Sequence, residues 1–125
     1  MRVLTAMALL LAPLHCTAPA PPVSGRCPKF EPAIAAYAPP GGWDIGRMSR
    51  YMWRESNCHP TVRSTTRDSG LLQINDVNLP YLRRVLHEPV TRWTLTAPAQ
   101  NVRAAAALCT YWRHAGRSCY HAWGG

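Results

Sequence analysis

Lysine is all but missing from this chain: Lys29 is the only one among fourteen basic residues, and the acids number six. The formal charge of +8 therefore rests on arginine, and such a surface attracts polyanions, whether nucleic acid, anionic lipid or an anionic wall polymer. The arginines are scattered and form no nucleic-acid motif, which sets nucleic acid aside as the main partner. Long apolar runs are missing as well. The stretch from Val3 to Leu14 falls short of the roughly 20 residues with which a helix crosses a bilayer, so no membrane span is expected. Internal repeats are absent, which excludes a solenoid.

With 125 residues, 47% of them hydrophobic, the chain can bury one core and is expected to form one domain, a monomer. Residues 1–20 read as an export signal: Arg2 gives the positive start, Val3 to Leu14 the apolar stretch, and small residues and prolines follow. A proline-rich spacer without packing pattern runs over 21–26, and the folded domain is expected over 27–125. Ordinary cleavage is favoured over lipidation of Cys16, because bulky His15 stands where lipoprotein signals carry a small residue. Cys27, Cys58, Cys109 and Cys119 then remain. An even count in a small exported domain points to two disulfides with three possible pairings. Cys27 with Cys58 and Cys109 with Cys119 is favoured, since each pair brackets a helix. The protein is thus expected outside the cell or in its envelope. His114 and His121 lie near the last two cysteines, but the spacing is not that of a zinc finger, so neither metal nor cofactor is expected.

Apolar residues at helical spacing (Phe30, Ile34, Tyr37) predict a short helix from Pro28 to Tyr37, stopped by Pro39, Pro40, Gly41 and Gly42. Asp44 can cap a second helix with the stripe Ile45, Met48, Tyr51 and Met52. Residues 60–69 read as a hydroxyl-rich loop, and Leu71 to Ile74 as a strand or hairpin end. Asp76 or Asn78 with Pro80 opens a further short helix holding Tyr81, Leu82 and Val85. A connecting segment from His87 to Thr96 is expected to bury Trp93. Pro98 and Gly116 frame a helix that is apolar nearly all round and so should be central; a tail held by Cys119 follows, with Trp123 available to pack.

Glu55 continues the stripe of the second helix. A carboxylate on a core-facing stripe loses water, which disfavours its charge and suits it to general-acid work. The competing reading is an ion pair with Arg54 or Arg50 at the helix end. Ser56 is expected to bond the helix end, because no histidine stands in a pattern that would activate it as a nucleophile. Asp68, just before Ser-Gly, suits a turn in which it bonds its own backbone.

Glu55-Ser56, Pro60, Val62, Ser64 and Gly70-Leu71-Leu72-Gln73 together resemble, without a gap, the signature of the soluble lytic transglycosylases. The family's Gly-Ala pair before the last motif is replaced by Arg67-Asp68 and its Met by Leu72. A weaker similarity continues through Asn101 and the Ala-rich helix, where Tyr111 and Gly116 remain of an Ala-Tyr-Asn-Ala-Gly motif. The run from Asp68 to Asn75 is also similar to the Asp-Tyr-Gly-Ile-Leu-Gln-Ile-Asn of animal-type lysozymes. Those proteins have a longer loop before it and an eight-cysteine framework that this chain lacks.

Both resemblances imply a mainly α-helical α+β fold of the lysozyme-like type, with a small β hairpin lining the cleft. They also imply one target, the β-1,4 bond between N-acetylmuramic acid and N-acetylglucosamine in peptidoglycan. The transglycosylase resemblance implies Glu55 as acid and then base, with a 1,6-anhydro product. The lysozyme resemblance implies Asp68 as second carboxylate, about 5 Å from Glu55 for retention or roughly 6.5–9.5 Å for inversion. Gln73, Asn75 and Tyr111 would then bind sugar hydroxyls or acetamido groups, and the positive charge would hold the protein to anionic wall polymers. The transglycosylase is the favoured reading, hydrolytic lysozyme the next, and a glycan-binding domain without turnover the third.

Overall fold

Asp44 starts the helix on which the site depends. In the computed structural model, which describes residues 25–125, its Oδ1 accepts a hydrogen bond from Arg47 N at 2.6 Å. Such a cap typically contributes about 1 kcal/mol. The export signal, Cys16 and most of the proline-rich spacer lie outside the described residues. A 3-10 turn at Pro28–Phe30 leads into α1 (Glu31–Ala36), with Phe30 and Ile34 in the core and Tyr37 left exposed at the end. Gly41 and Gly42, both at positive φ, then turn the chain toward Asp44.

Helix α2 (Ile45–Ser56) buries Met48 and Met52 completely, while Ser49 Oγ accepts from Cys27 N at 2.9 Å. It ends where Asn57 adopts a left-handed conformation and donates its N–H to Trp53 O at 2.7 Å. The Cys27–Cys58 disulfide ties that end back to the start of the domain, and Cys109–Cys119 closes the other bridge, as favoured from the sequence.

Strands β1 (Asp68–Ser69) and β2 (Ile74–Asn75) pair antiparallel in the register Asp68 to Asn75 and Ser69 to Ile74, and Arg63 bridges Ser69 from the far side. The segment expected as a strand or hairpin end, Leu71 to Ile74, is mostly the turn of the hairpin. Leu71 and Leu72 are driven into the core there, and only Ile74 belongs to β2. Gly70 sits at φ +80°, and a side chain on it would overlap Asn101 and the Leu95 carbonyl. Glycine is the residue that meets both demands.

A 3-10 turn at Asp76–Asn78 precedes α3 (Leu79–Leu86), which buries Leu79 and Leu82. Between α3 and the next helix the expectation for Trp93 fails: its side chain is 69% exposed. A 3-10 turn at Thr94–Thr96 points Leu95 inward, and Val90 fills the neighbouring core position, so the indole is left outside. Helix α4 (Pro98–His114) is central, touching α1, α3, β2 and the flanking 3-10 turns, with Val102, Ala104, Ala105 and Leu108 buried. It stops at Gly116, φ +73°, where Arg117 N donates to Trp112 O at 2.8 Å, the closure of a glycine-terminated helix. The tail packs Trp123 into the core. The architecture is mainly helical with one small antiparallel hairpin, the α+β class expected.

Candidate active site

Glu55 lies in the last turn of α2, before Ser56, whose hydroxyl donates to Met52 O at 2.9 Å and is spent on the helix end. Arg54 donates through Nε and Nη2 to Glu55 Oε1, at 3.0 and 2.6 Å, and Nη2 also donates to Trp123 O at 2.6 Å. Glu55 Oε2 has no partner among the described residues. With 26% of its side chain exposed, Glu55 is partly buried and forms the ion pair with Arg54 that was the competing reading for the helix end.

Asp68 is held on every side. Its Oδ2 accepts from Ser64 Oγ at 2.9 Å and Thr66 Oγ1 at 2.6 Å, its Oδ1 from Asn75 Nδ2 at 2.9 Å. Its backbone N–H donates to Ser64 Oγ at 3.0 Å. Burial opposes the charge on Asp68. The hydrogen bonds from Thr66, Asn75 and Ser64, with the nearby Arg92 guanidinium, outweigh it and hold the carboxyl below its ordinary pKa.

Asn75 spends its amide on Asp68 and on Thr66 O at 3.0 Å, and its Oδ1 accepts from Val77 N at 3.0 Å to cap the next turn. Gln73, at φ +47°, donates Nε2 to Gly70 O at 2.8 Å and Val62 O at 3.2 Å, which leaves Oε1 as its open acceptor. The two amides expected to meet sugar are therefore first of all braces of the hairpin and its loop.

Tyr111 stands on α4, in edge contact with Tyr81 and Trp112 at 5.1 Å each. Together with Val77, Asn78, Arg84 and Leu108 these rings line a groove of about 310 Å³, which begins just after Asn75. His121 packs on Trp112 at 4.2 Å, and the His121–Trp123 turn supplies the carbonyl held by Arg54. The C-terminal turn thus connects the Glu55 end of α2 with the aromatic groove. A larger depression of about 360 Å³, lined by Tyr37, Pro39, Arg103 and Thr110 among others, includes none of the candidate residues. The zinc reading has no thiolates to use, because Cys109 and Cys119 are bonded to each other.

Sequence reasoning met Asn101 only within a weaker similarity and gave it no role. Fully buried on α4, it accepts from Leu72 N at 2.9 Å and donates to Ser69 O at 2.9 Å and Leu95 O at 3.0 Å. Trp123 Nε1 adds a bond to Leu72 O at 2.9 Å, so both backbone groups of Leu72 are pinned. A lone amide in an apolar helix was the available signal, since a buried amide requires partners. Residues 49–116, just over half of the chain, match the family model described as the transglycosylase SLT domain. No curated protein and no solved structure matches the chain.

Proposed function

Because this chain belongs to the transglycosylase SLT domain family, we propose that it is a lytic transglycosylase that works through Glu55. The family acts on peptidoglycan, and the two disulfides suit a protein outside the cytoplasm. The bond cleaved is the β-1,4 link between N-acetylmuramic acid and N-acetylglucosamine. Glu55 gives its proton to the glycosidic oxygen as the bond to the muramyl anomeric carbon breaks, and an oxocarbenium-like centre forms. The C6 hydroxyl of the same sugar attacks that carbon, its proton passes to Glu55, and the 1,6-anhydro ring closes. No water enters, and the acid is regenerated.

The observation that carries this reading is the contrast in free acceptor capacity. Glu55 keeps one oxygen unpartnered, whereas both oxygens of Asp68 are engaged by Ser64, Thr66 and Asn75. A transglycosylase uses one carboxylate and a lysozyme two, so the arrangement favours the former. The aromatic groove around Tyr111 offers ring faces to sugars, and Gln73 Oε1 an acceptor to a hydroxyl.

Hydrolysis with Asp68 as the second carboxylate keeps one supporting observation: Asp68 is held ionised, as a stabiliser of positive charge must be. End-group mass spectrometry of the muropeptides released from purified peptidoglycan separates the two. Ends in 1,6-anhydro-muramic acid are expected; reducing ends would transfer the assignment to hydrolysis.

A further inference from the structure

Trp93 is the most exposed tryptophan among the described residues, 69% open, and its ring is no part of the core. The Arg63 guanidinium lies 3.8 Å from the indole centroid. That stacking leaves the N–H edge of Arg63 free, and Arg63 makes no side-chain hydrogen bond or ion pair among the described residues. Its backbone is fixed by the bridge to Ser69, so the cation is anchored rather than trailing.

The neighbours extend the same chemistry. Arg92 donates to Ser64 O at 3.0 Å and faces Asp76 at 3.4 Å, and Arg67 reaches the same Asp76 at 3.2 Å. One acid thus serves two arginines and leaves Arg63 unneutralised. Arg67 is held at φ +71°, where glycine would be unstrained, yet its side chain is 74% exposed. Most of the Arg67 side chain therefore stays open to a ligand beside its ion pair with Asp76.

We propose that Trp93 and Arg63 form an accessory contact for peptidoglycan, beside the outer edge of the β1–β2 hairpin. The indole takes the apolar face of a pyranose ring, and the guanidinium takes a carboxylate of the stem peptide attached to the strand. Arg67 supplies a second, weaker carboxylate contact. A planar, pre-stacked guanidinium suits a carboxylate because little of its freedom is left to lose. The inference rests on the peptidoglycan substrate of the reading above but not on turnover.

The test is co-sedimentation with purified insoluble peptidoglycan, on a Glu55→Gln background so that strands stay intact. Trp93→Ala and Arg63→Gln are each expected to weaken binding about tenfold, a difference of about 1.4 kcal/mol. Arg67→Gly is expected to weaken it less, with an unchanged or raised Tm that shows the loss is not unfolding. On neutral N-acetylglucosamine oligomers, Trp93→Ala should weaken binding and Arg63→Gln should not. Binding unchanged in both variants, or equal displacement by duplex DNA, overturns the proposal. Lysis by the unsubstituted protein with variant binding unchanged would sink this contact alone and leave the Glu55 reading standing. Trp93-dependent binding without any lysis would do the reverse.

Discussion

The end of α2 and the β1–β2 hairpin each hold a carboxylate and treat it in opposite ways. At the hairpin, two hydroxyls and an amide close around Asp68, and the same Asn75 that serves it also caps the next turn. At the helix end, Glu55 has one oxygen clasped by Arg54 and one left open, and the C-terminal turn that holds Arg54 also packs against the aromatic groove. Hydrogen bonds that complete a carboxylate make it part of the scaffold, and those that leave it incomplete make it available to a substrate. The hairpin's rigidity then serves the helix end, because Trp123 bonds Leu72 in the turn while its carbonyl holds Arg54.

Breaking the open side of the comparison should have the largest effect. Glu55→Gln is expected to lower the lytic rate about 10²- to 10⁴-fold, the usual contribution of a positioned acid, without lowering Tm. Wild-type turnover in the folded variant would remove Glu55 from the reaction. Next comes the clamp behind the hairpin. Asn101→Ala strips partners from Leu72 N, Ser69 O and Leu95 O and should cost about 3 kcal/mol in chemical denaturation, given about 1–3 for each buried group left unpaired. A loss under 1 kcal/mol would mean that water replaces the amide.

The closed side is sharpened by Asp68→Asn, expected to cost about 1–2 kcal/mol through its charge-assisted bonds. Its pH dependence carries a definite sign. The folded-state pKa of Asp68 is depressed, so its contribution is present above the unfolded value near 3.9 and is lost as pH falls through the lower folded value. Thermal melts from neutral pH into the acid range should bring wild type and Asp68→Asn together as the solution acidifies. A gap that widens instead would contradict the depressed pKa. The smallest effect belongs to Arg67→Gly, where release of a left-handed φ should raise stability by about 0.5 kcal/mol against the loss of an exposed ion pair.

The helices and the disulfide pairing were legible because their signals are local or nearly so. Asp44 caps, Met48 and Met52 fall on one stripe, and Pro98 and Gly116 bracket α4, all read from spacing alone. Trp93 was not, because a 3-10 turn decides which of Trp93 and Leu95 enters the core, and no periodic pattern covers so short a segment. For the site, residue types were legible and their commitments were not. Gln73 and Asn75 have the chemistry to bind sugar, yet register and left-handed backbone turn their amides onto Gly70, Val62, Thr66 and Asp68. The Arg54 tie to Trp123 O joins residues far apart in the chain and leaves no trace in either neighbourhood.

The central claim, that one carboxylate does the chemistry and the other holds the hairpin, is tested most directly by the muropeptides that Asp68→Asn releases at a temperature where it is folded. The account predicts turnover within about tenfold of wild type, well inside the range lost with a general acid, and the same 1,6-anhydro ends. A folded Asp68→Asn as inactive as Glu55→Gln would contradict it and make Asp68 a partner in catalysis.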